Sequence, residues 1–159
     1  MSSERSTYDR ALTLLEYRAR SVAELRRKLS EKGAPKGELD EVIARLLEQK
    51  LLDDADFARQ FARTKITGAG ASRIRILQEL RRKGVAADVA ERALDELDED
   101  EGLDASASIQ RVAEKKWKTL AKLDDFTRRR RLYGFLARRG YNPDEIRSAM
   151  NALGAEADA

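Results

Sequence analysis

Histidine and cysteine are both absent from this chain. Without histidine there is no Ser-His-Asp or Cys-His site, and the commonest general base and zinc ligand are missing. Without cysteine there is no disulfide framework and no thiolate metal site. Only two prolines occur among 159 residues and aromatics make up 6%. No apolar run reaches the 18 residues of a membrane span, and Met1-Ser2-Ser3-Glu4-Arg5 carries no apolar leader core. Nowhere do apolar and polar residues alternate long enough for a half-buried strand. Catalysis would have to rest on carboxylates, lysine or tyrosine, and no convergent set of these is visible. The chain therefore reads as a non-enzyme that needs no cofactor and no metal.

What is present is charge and helical spacing. Charged residues make up 38% and apolar residues 42%, a balance of long, solvated helices around a real core. The net charge is only +3, but Asp88–Asp104 is strongly acidic and Arg111–Arg139 strongly basic. Such asymmetry points to a polyanion or an acidic protein as partner.

One pattern occurs three times. It ends on Gly33, Gly84 and Gly140, which lie 51 and 56 residues apart. Eight residues before each glycine stand Leu25, Ile76 and Leu132, and four before it Leu29, Leu80 and Leu136. After it come Leu39, Ala90 and Ile146, then Ile43, Leu94 and Met150, then Leu46, Leu97 and Leu153. Steps of four and three are helical steps. A period of this length marks an array of supersecondary units. The expected fold is all-α, with three tandem three-helix repeats over 1–52, 53–102 and 103–159.

Local signals place the helices. In the first repeat, Tyr8–Ala19 carries Leu12, Leu15 and Ala19 on one face. Ser21-Val22-Ala23-Glu24 is a capping box that starts the second helix, Gly33 stops it, and Pro35 and Gly37 make the turn to a helix over about 38–50. In the second repeat, Asp53 or Asp54 caps a helix bearing core residues Phe57 and Phe61. Thr67–Ala71 is the most flexible interior stretch, Ser72 caps a helix ending at Lys83, and a third runs over about 87–97. In the third repeat a long helix covers 105–123, Asp124 or Asp125 caps the next, and Asn142-Pro143-Asp144-Glu145 opens the last. The tail after Leu153 reads as frayed.

Three local motifs have chemical readings that fail. The acidic run Asp95–Gly102 lacks the glycine placement of an EF-hand loop and reads as a solvated helix end. Gly68-Ala69-Gly70 lacks the Gly-Lys-Ser/Thr ending of a phosphate loop and reads as a connection. Trp117, Tyr133 and Tyr141 could stack on bases, but such residues more often fill a helical core. The basic stripes are more informative. In the helix from Ser72, Ile74, Ile76, Leu77 and Leu80 form the apolar arc, with Arg75, Gln78 and Arg82 opposite and Lys83 beside them. In the equivalent helix of the third repeat, Leu132, Tyr133 and Leu136 face inward and Arg130, Arg131 and Arg138 outward. Equivalent helices thus present arginines suited to planar carboxylate or phosphate.

Four segments in order carry a resemblance: Leu15–Leu25 (LEYRARSVAEL), Leu51–Phe61 (LLDDADFARQF), Ser72–Gly84 (SRIRILQELRRKG) and Phe135–Tyr141 (FLARRGY). Together they resemble the RecX family of RecA regulators over about 8–153. Arg20 departs from the histidine or similar polar residue often found there, and Pro35 and Gly37 are particular to this turn. The resemblance implies an elongated, curved repeat molecule in the cytoplasm, a monomer with no membrane attachment. It implies binding to RecA and the RecA–DNA filament in the filament's groove. It also implies inhibition of ATP hydrolysis, co-protease activity and strand exchange, and thereby control of recombination and repair. Arg75, Gln78, Arg82, Lys83, Arg130, Arg131 and Arg138 are the expected contacts. A sequence-nonspecific DNA-binding helical module is the alternative, and family members do bind DNA to some degree.

Overall fold

The structure is a computed structural model that describes residues 5–157. Met1–Glu4, most of the stretch read above for its lack of a leader core, and the last two tail residues lie outside the described residues. The helices are α1 (Thr7–Tyr17), α2 (Val22–Glu31), α3 (Lys36–Glu48), α4 (Asp54–Thr64), α5 (Arg73–Arg82), α6 (Ala87–Glu101), α7 (Ser108–Thr119), α8 (Asp125–Arg138) and α9 (Pro143–Ala157). A π-helical turn, Lys65–Ala69, follows α4. Among the described residues there is no strand. The fold is all-α, three-helix units in tandem, and no described helix is long and apolar enough to cross a membrane.

The period of the sequence is the register of the core. Leu25, Ile76 and Leu132, and Leu29, Leu80 and Leu136, are all at 0% exposure. Every position after the glycines is buried too, apart from the half-buried Met150. Burying one such leucine stabilises by roughly 1.5–3 kcal/mol. Gly33, Gly84 and Gly140 have φ of 86°, 81° and 95°, the left-handed conformation that ends a helix and turns the chain.

The chain packs as two compact units. One comprises Met1–Gln60 with Leu80–Ala93, the other Phe61–Glu79 with Leu94–Ala159. Each gathers a terminal repeat and part of the middle one. In the first, Leu25, Leu29, Leu39, Ile43 and Leu46 form the core of α1–α3. In the second, Leu132, Leu136, Tyr141, Ile146 and Leu153 form the core of α7–α9.

Several boundaries depart from expectation. Helix α1 ends at Tyr17, because Arg18 turns to extended backbone with φ −162°. Ala19, expected on the apolar face, is therefore exposed, while Arg20 is buried and its Nε donates to the Leu14 carbonyl at 3.3 Å. Helix α6 continues to Glu101. Its acidic end is steadied by Arg63, at 2.5 Å from Glu101, and by Arg73, at 3.0 Å from Asp95. Helix α7 is shorter than expected at both ends. The Asp104 carboxylate takes the Ser106 amide at 2.8 Å and holds a turn before it. At the tail, α9 runs on to Ala157 instead of fraying after Leu153.

Candidate partner-binding surface

The basic residues singled out above fall in both units, so each unit is built up by itself. In the first, Arg82 is exposed and Lys83 half-exposed at the end of α5. Ser21 caps α2 with a complete capping box: its Oγ accepts from the Glu24 amide at 3.1 Å, and Glu24 Oε1 accepts from the Ser21 amide at 3.2 Å. The Ser21 hydroxyl also donates to the Lys83 carbonyl at 2.5 Å. Gly84 packs against Ala23 so tightly that any Cβ would collide with the alanine methyl. The Lys83 ammonium is thereby held 3.8 Å from the buried Glu24 carboxylate, which also accepts from Arg18 at 2.8 Å. Burial pushes the Glu24 carboxyl up, but the Arg18 and Ser21 hydrogen bonds and the Lys83 charge outweigh it, and the net shift is downward. Asp54 accepts from the Val22 amide at 2.8 Å, and there burial prevails and raises the carboxyl. Asp53, not Asp54, caps α4, accepting from the amides of Ala55 and Asp56.

In the second unit the same turn meets the same seat with different chemistry. Ser72 caps α5 by accepting from the Arg75 amide at 3.1 Å, and the Ser72 amide points at the Arg139 carbonyl at 3.4 Å. A Cβ on Gly140 would lie 2.6 Å from Ser72 Oγ and 2.8 Å from Arg75 Cβ. Arg75 stands nine residues before its glycine, where the first repeat has Glu24. Its Nη1 donates to the Arg138 carbonyl at 2.8 Å and its Nε points at Glu79 at 3.4 Å. Arg75 is thus partly engaged in packing the third repeat, a correction to the free stripe expected of it. Gln78 is exposed. Ile74, placed in the apolar arc by its spacing, is 49% exposed, since the arc narrows to Ile76, Leu77 and Leu80.

Arg130, Arg131 and Arg138 are exposed and meet around a surface hollow of about 410 Å3, shared with Lys116, Leu120 and Gly134. None of the three guanidiniums makes an ion pair among the described residues. Their neighbours do: Arg129 pairs with Asp125 at 2.9 Å and Arg147 with Asp144 at 2.7 Å. Tyr133, expected in the core, is 37% exposed, whereas Tyr141 is buried. Trp117 packs against the core under the Arg128 guanidinium, 3.6 Å from its ring centre.

A second hollow, of about 270 Å3, lies where α7 and α8 face Gly68-Ala69-Gly70. Its cations are Arg111, Lys115, Lys116 and Arg139, and Phe135 forms part of its wall. Arg111 Nη2 donates to the Ile66 carbonyl at 2.7 Å and Arg139 Nη1 to the Ala69 carbonyl. The Tyr141 hydroxyl donates to the Gly70 carbonyl at 2.6 Å. Burial, with some help from Glu145, pushes that phenol up to about 12 against the opposing charges of Arg139 and Arg111. The stretch read as the most flexible of the interior is therefore a π-helical turn tied by three side chains of the third repeat. Spacing had singled out none of these four cations. Arg111 and Lys115, one turn apart, were legible only as part of a basic region. Nothing local in the sequence aimed them at the glycines.

Three family models match the chain in order: RecX, first three-helix domain, over residues 8–46; RecX, second three-helix domain, over 53–94; and RecX, third three-helix domain, over 104–150. The regulatory protein RecX of Pelodictyon phaeoclathratiforme is 36% identical over 143 residues, which is 90% of this chain and 86% of that protein. The regulatory protein RecX of Prosthecochloris aestuarii is 36% identical over 154 residues, 96% of each. A crystal structure of RecX from Lactobacillus salivarius superposes with a TM-score of 0.76 at 23% identity, covering 94% of this chain and 95% of that one, a likeness of fold.

Proposed function

Since the chain belongs to the RecX family of regulatory proteins, we propose that it binds RecA and the RecA–DNA filament and inhibits RecA's ATP hydrolysis, co-protease activity and strand exchange. It acts in the cytoplasm as a monomeric regulator of recombination and repair, not as an enzyme. The observation that carries the reading on this chain is the group Arg130, Arg131 and Arg138, three exposed guanidiniums around one hollow with no ion pair among the described residues. A guanidinium that makes no ion pair keeps its fork for a planar acceptor on a partner. A RecA filament on DNA offers carboxylates and phosphates together. Gln78 in the second unit and Arg82 in the first are further expected contacts, each taken by itself, and Arg75 and Lys83 contribute charge while holding the turns of their own units.

The test is an ATPase and strand-exchange titration of the cognate RecA on single-stranded DNA. Inhibition that saturates with this protein is expected, and its absence overturns the reading. Arg130→Glu, Arg131→Glu and Arg138→Glu together should weaken inhibition strongly, because attraction becomes repulsion across the contact. A folded triple variant that inhibits as the parent does would move the docking surface elsewhere.

A further inference from the structure

Helix α8 carries apolar side chains on two faces. Leu132 and Leu136 point into the core at 0% exposure, but Phe126 is 74% and Tyr133 37% exposed. Phe126, Arg130, Tyr133 and Ala137 follow one another at steps of four, three and four, so they share one outward stripe, and all four are exposed. Neither aromatic ring belongs to the core of α7–α9. A single exposed apolar residue needs no explanation. Two aromatics flanking an arginine are the composition of a protein–protein hot spot. We infer that this stripe anchors a protein segment that presents an apolar side chain to each ring and a carboxylate between them. The inference rests on the RecA reading and deepens it: the stripe meets RecA itself and not the DNA that RecA carries.

Charges beside the rings separate the occupants. A nucleic-acid strand could stack a base on Phe126. Its phosphates would then pass Asp124 and Asp125, which immediately precede the ring and are exposed. Arg129, the nearest cation in sequence, is already engaged with Asp125 at 2.9 Å, so a phosphate there meets repulsion without a free counter-charge. A second copy of this chain could pair stripe on stripe about a two-fold axis. Setting Phe126 of one copy on Tyr133 of the other puts Arg130 near the axis and against its own copy, again like charge on like. A protein segment with a carboxylate meets neither obstacle. Arg130 makes no ion pair among the described residues, and its fork suits a planar carboxylate. The rings stand seven residues apart, about 10 Å along the helix, a spacing matched by side chains two turns apart on a partner helix. Arg130 also borders the larger hollow with Arg131 and Arg138, so the stripe gives the arginine group an apolar edge.

The test is made at the rings, which the inhibition reading does not use. Affinity for the cognate RecA filament on oligothymidylate and for the bare oligothymidylate is measured side by side. Phe126→Ala with Tyr133→Ala should weaken filament binding about tenfold or more. Bare-strand affinity should stay within about twofold, and the thermal midpoint should barely move, because both rings are exposed. Phe126→Ala alone, at the more exposed ring, serves if the pair perturbs folding, and should weaken filament binding about threefold or more. Phe126→Leu, which keeps apolar bulk, should retain most of the affinity. A parent chain that fails to bind the filament overturns the RecA reading and this inference with it. A parent that binds, with a double variant that binds as well, overturns the stripe alone. Equal weakening on filament and bare strand overturns it in favour of base stacking. A dimer in sedimentation equilibrium that Phe126→Ala dissolves overturns it in favour of a second copy.

Discussion

At Lys83–Gly84 and again at Arg139–Gly140 the chain makes a left-handed turn and lays it on the capped start of an earlier helix. The seats are Ser21–Glu24 in the first unit and Ser72–Arg75 in the second. Glycine and serine recur because the contact leaves no room for a Cβ and asks for a hydroxyl cap. The residue nine places before the glycine is not so constrained, and it changes from Glu24 to Arg75. The first seat is consequently built on the buried Glu24 carboxylate, and cations come to it: Arg18 and Lys83 both lie against it. In the second, arginines bond to carbonyls, with Glu79 the acid near Arg75. One backbone arrangement thus yields a pH-sensitive seat in one place and an excess of positive charge in the other.

The largest effects should come from the glycines. Gly140→Ala and Gly84→Ala each combine a left-handed φ with a steric collision, and should cost about 2–5 kcal/mol in urea unfolding. Gly33→Ala shares the φ, but its Cβ would meet nothing within 4 Å, so strain alone, about 1–2 kcal/mol, is expected. Equal losses at all three would break the comparison, since packing would then contribute nothing.

Next come the caps. Ser21→Ala removes an acceptor for Glu24 and a donor to Lys83, and should cost about 1–2 kcal/mol by thermal unfolding. Ser72→Ala should cost about 1 kcal/mol, because the Ser72 bond across the junction is made by the backbone amide and survives.

The pH response should separate the seats. The Glu24 carboxyl is held below its ordinary value in the folded state. Its contribution is fully present above the unfolded pKa of about 4.3 and is lost as pH falls through the lower folded value. Asp54 has the opposite sign: its raised carboxyl favours the folded state as pH falls. Urea midpoints below about pH 5 should therefore fall less steeply with acid in Glu24→Gln than in the parent, and more steeply in Asp54→Asn. Arg75→Gln should leave that slope unchanged. A slope altered as much by Arg75→Gln would mean the second seat also titrates.

The smallest effects belong to the stripes. Arg75→Ala should cost up to about 1 kcal/mol for its bond to the Arg138 carbonyl, whereas Arg131→Ala should stay within about 0.5 kcal/mol. A reversal of that order would return Arg75 to the free surface.

The helical period, the buried positions around each glycine and the caps at Ser21, Ser72 and Asn142, whose Oδ1 accepts from the Glu145 amide at 2.8 Å, were all legible in the sequence, because a helix is written in local spacing and in residues that bond their own backbone. Arg130, Arg131 and Arg138 were legible as outward-facing for the same reason. Ile74 and Tyr133 misled, since spacing gives the direction of a side chain and not the width of the neighbour that covers it. Gly68–Gly70 misled more, because its glycines suggested freedom while the side chains that restrain it lie more than forty residues further on.

By itself the sequence determined that the chain is helical, repeated, and joined by left-handed glycines, since these follow from steric and hydrogen-bonding preferences within a few residues. Only the tertiary structure decided which arginines hold backbone and which stand free, and that Lys115 and Lys116 border a hollow. Charge and donor groups are properties of a residue. Whether they are already spent depends on what the rest of the chain brings within about 3 or 4 Å.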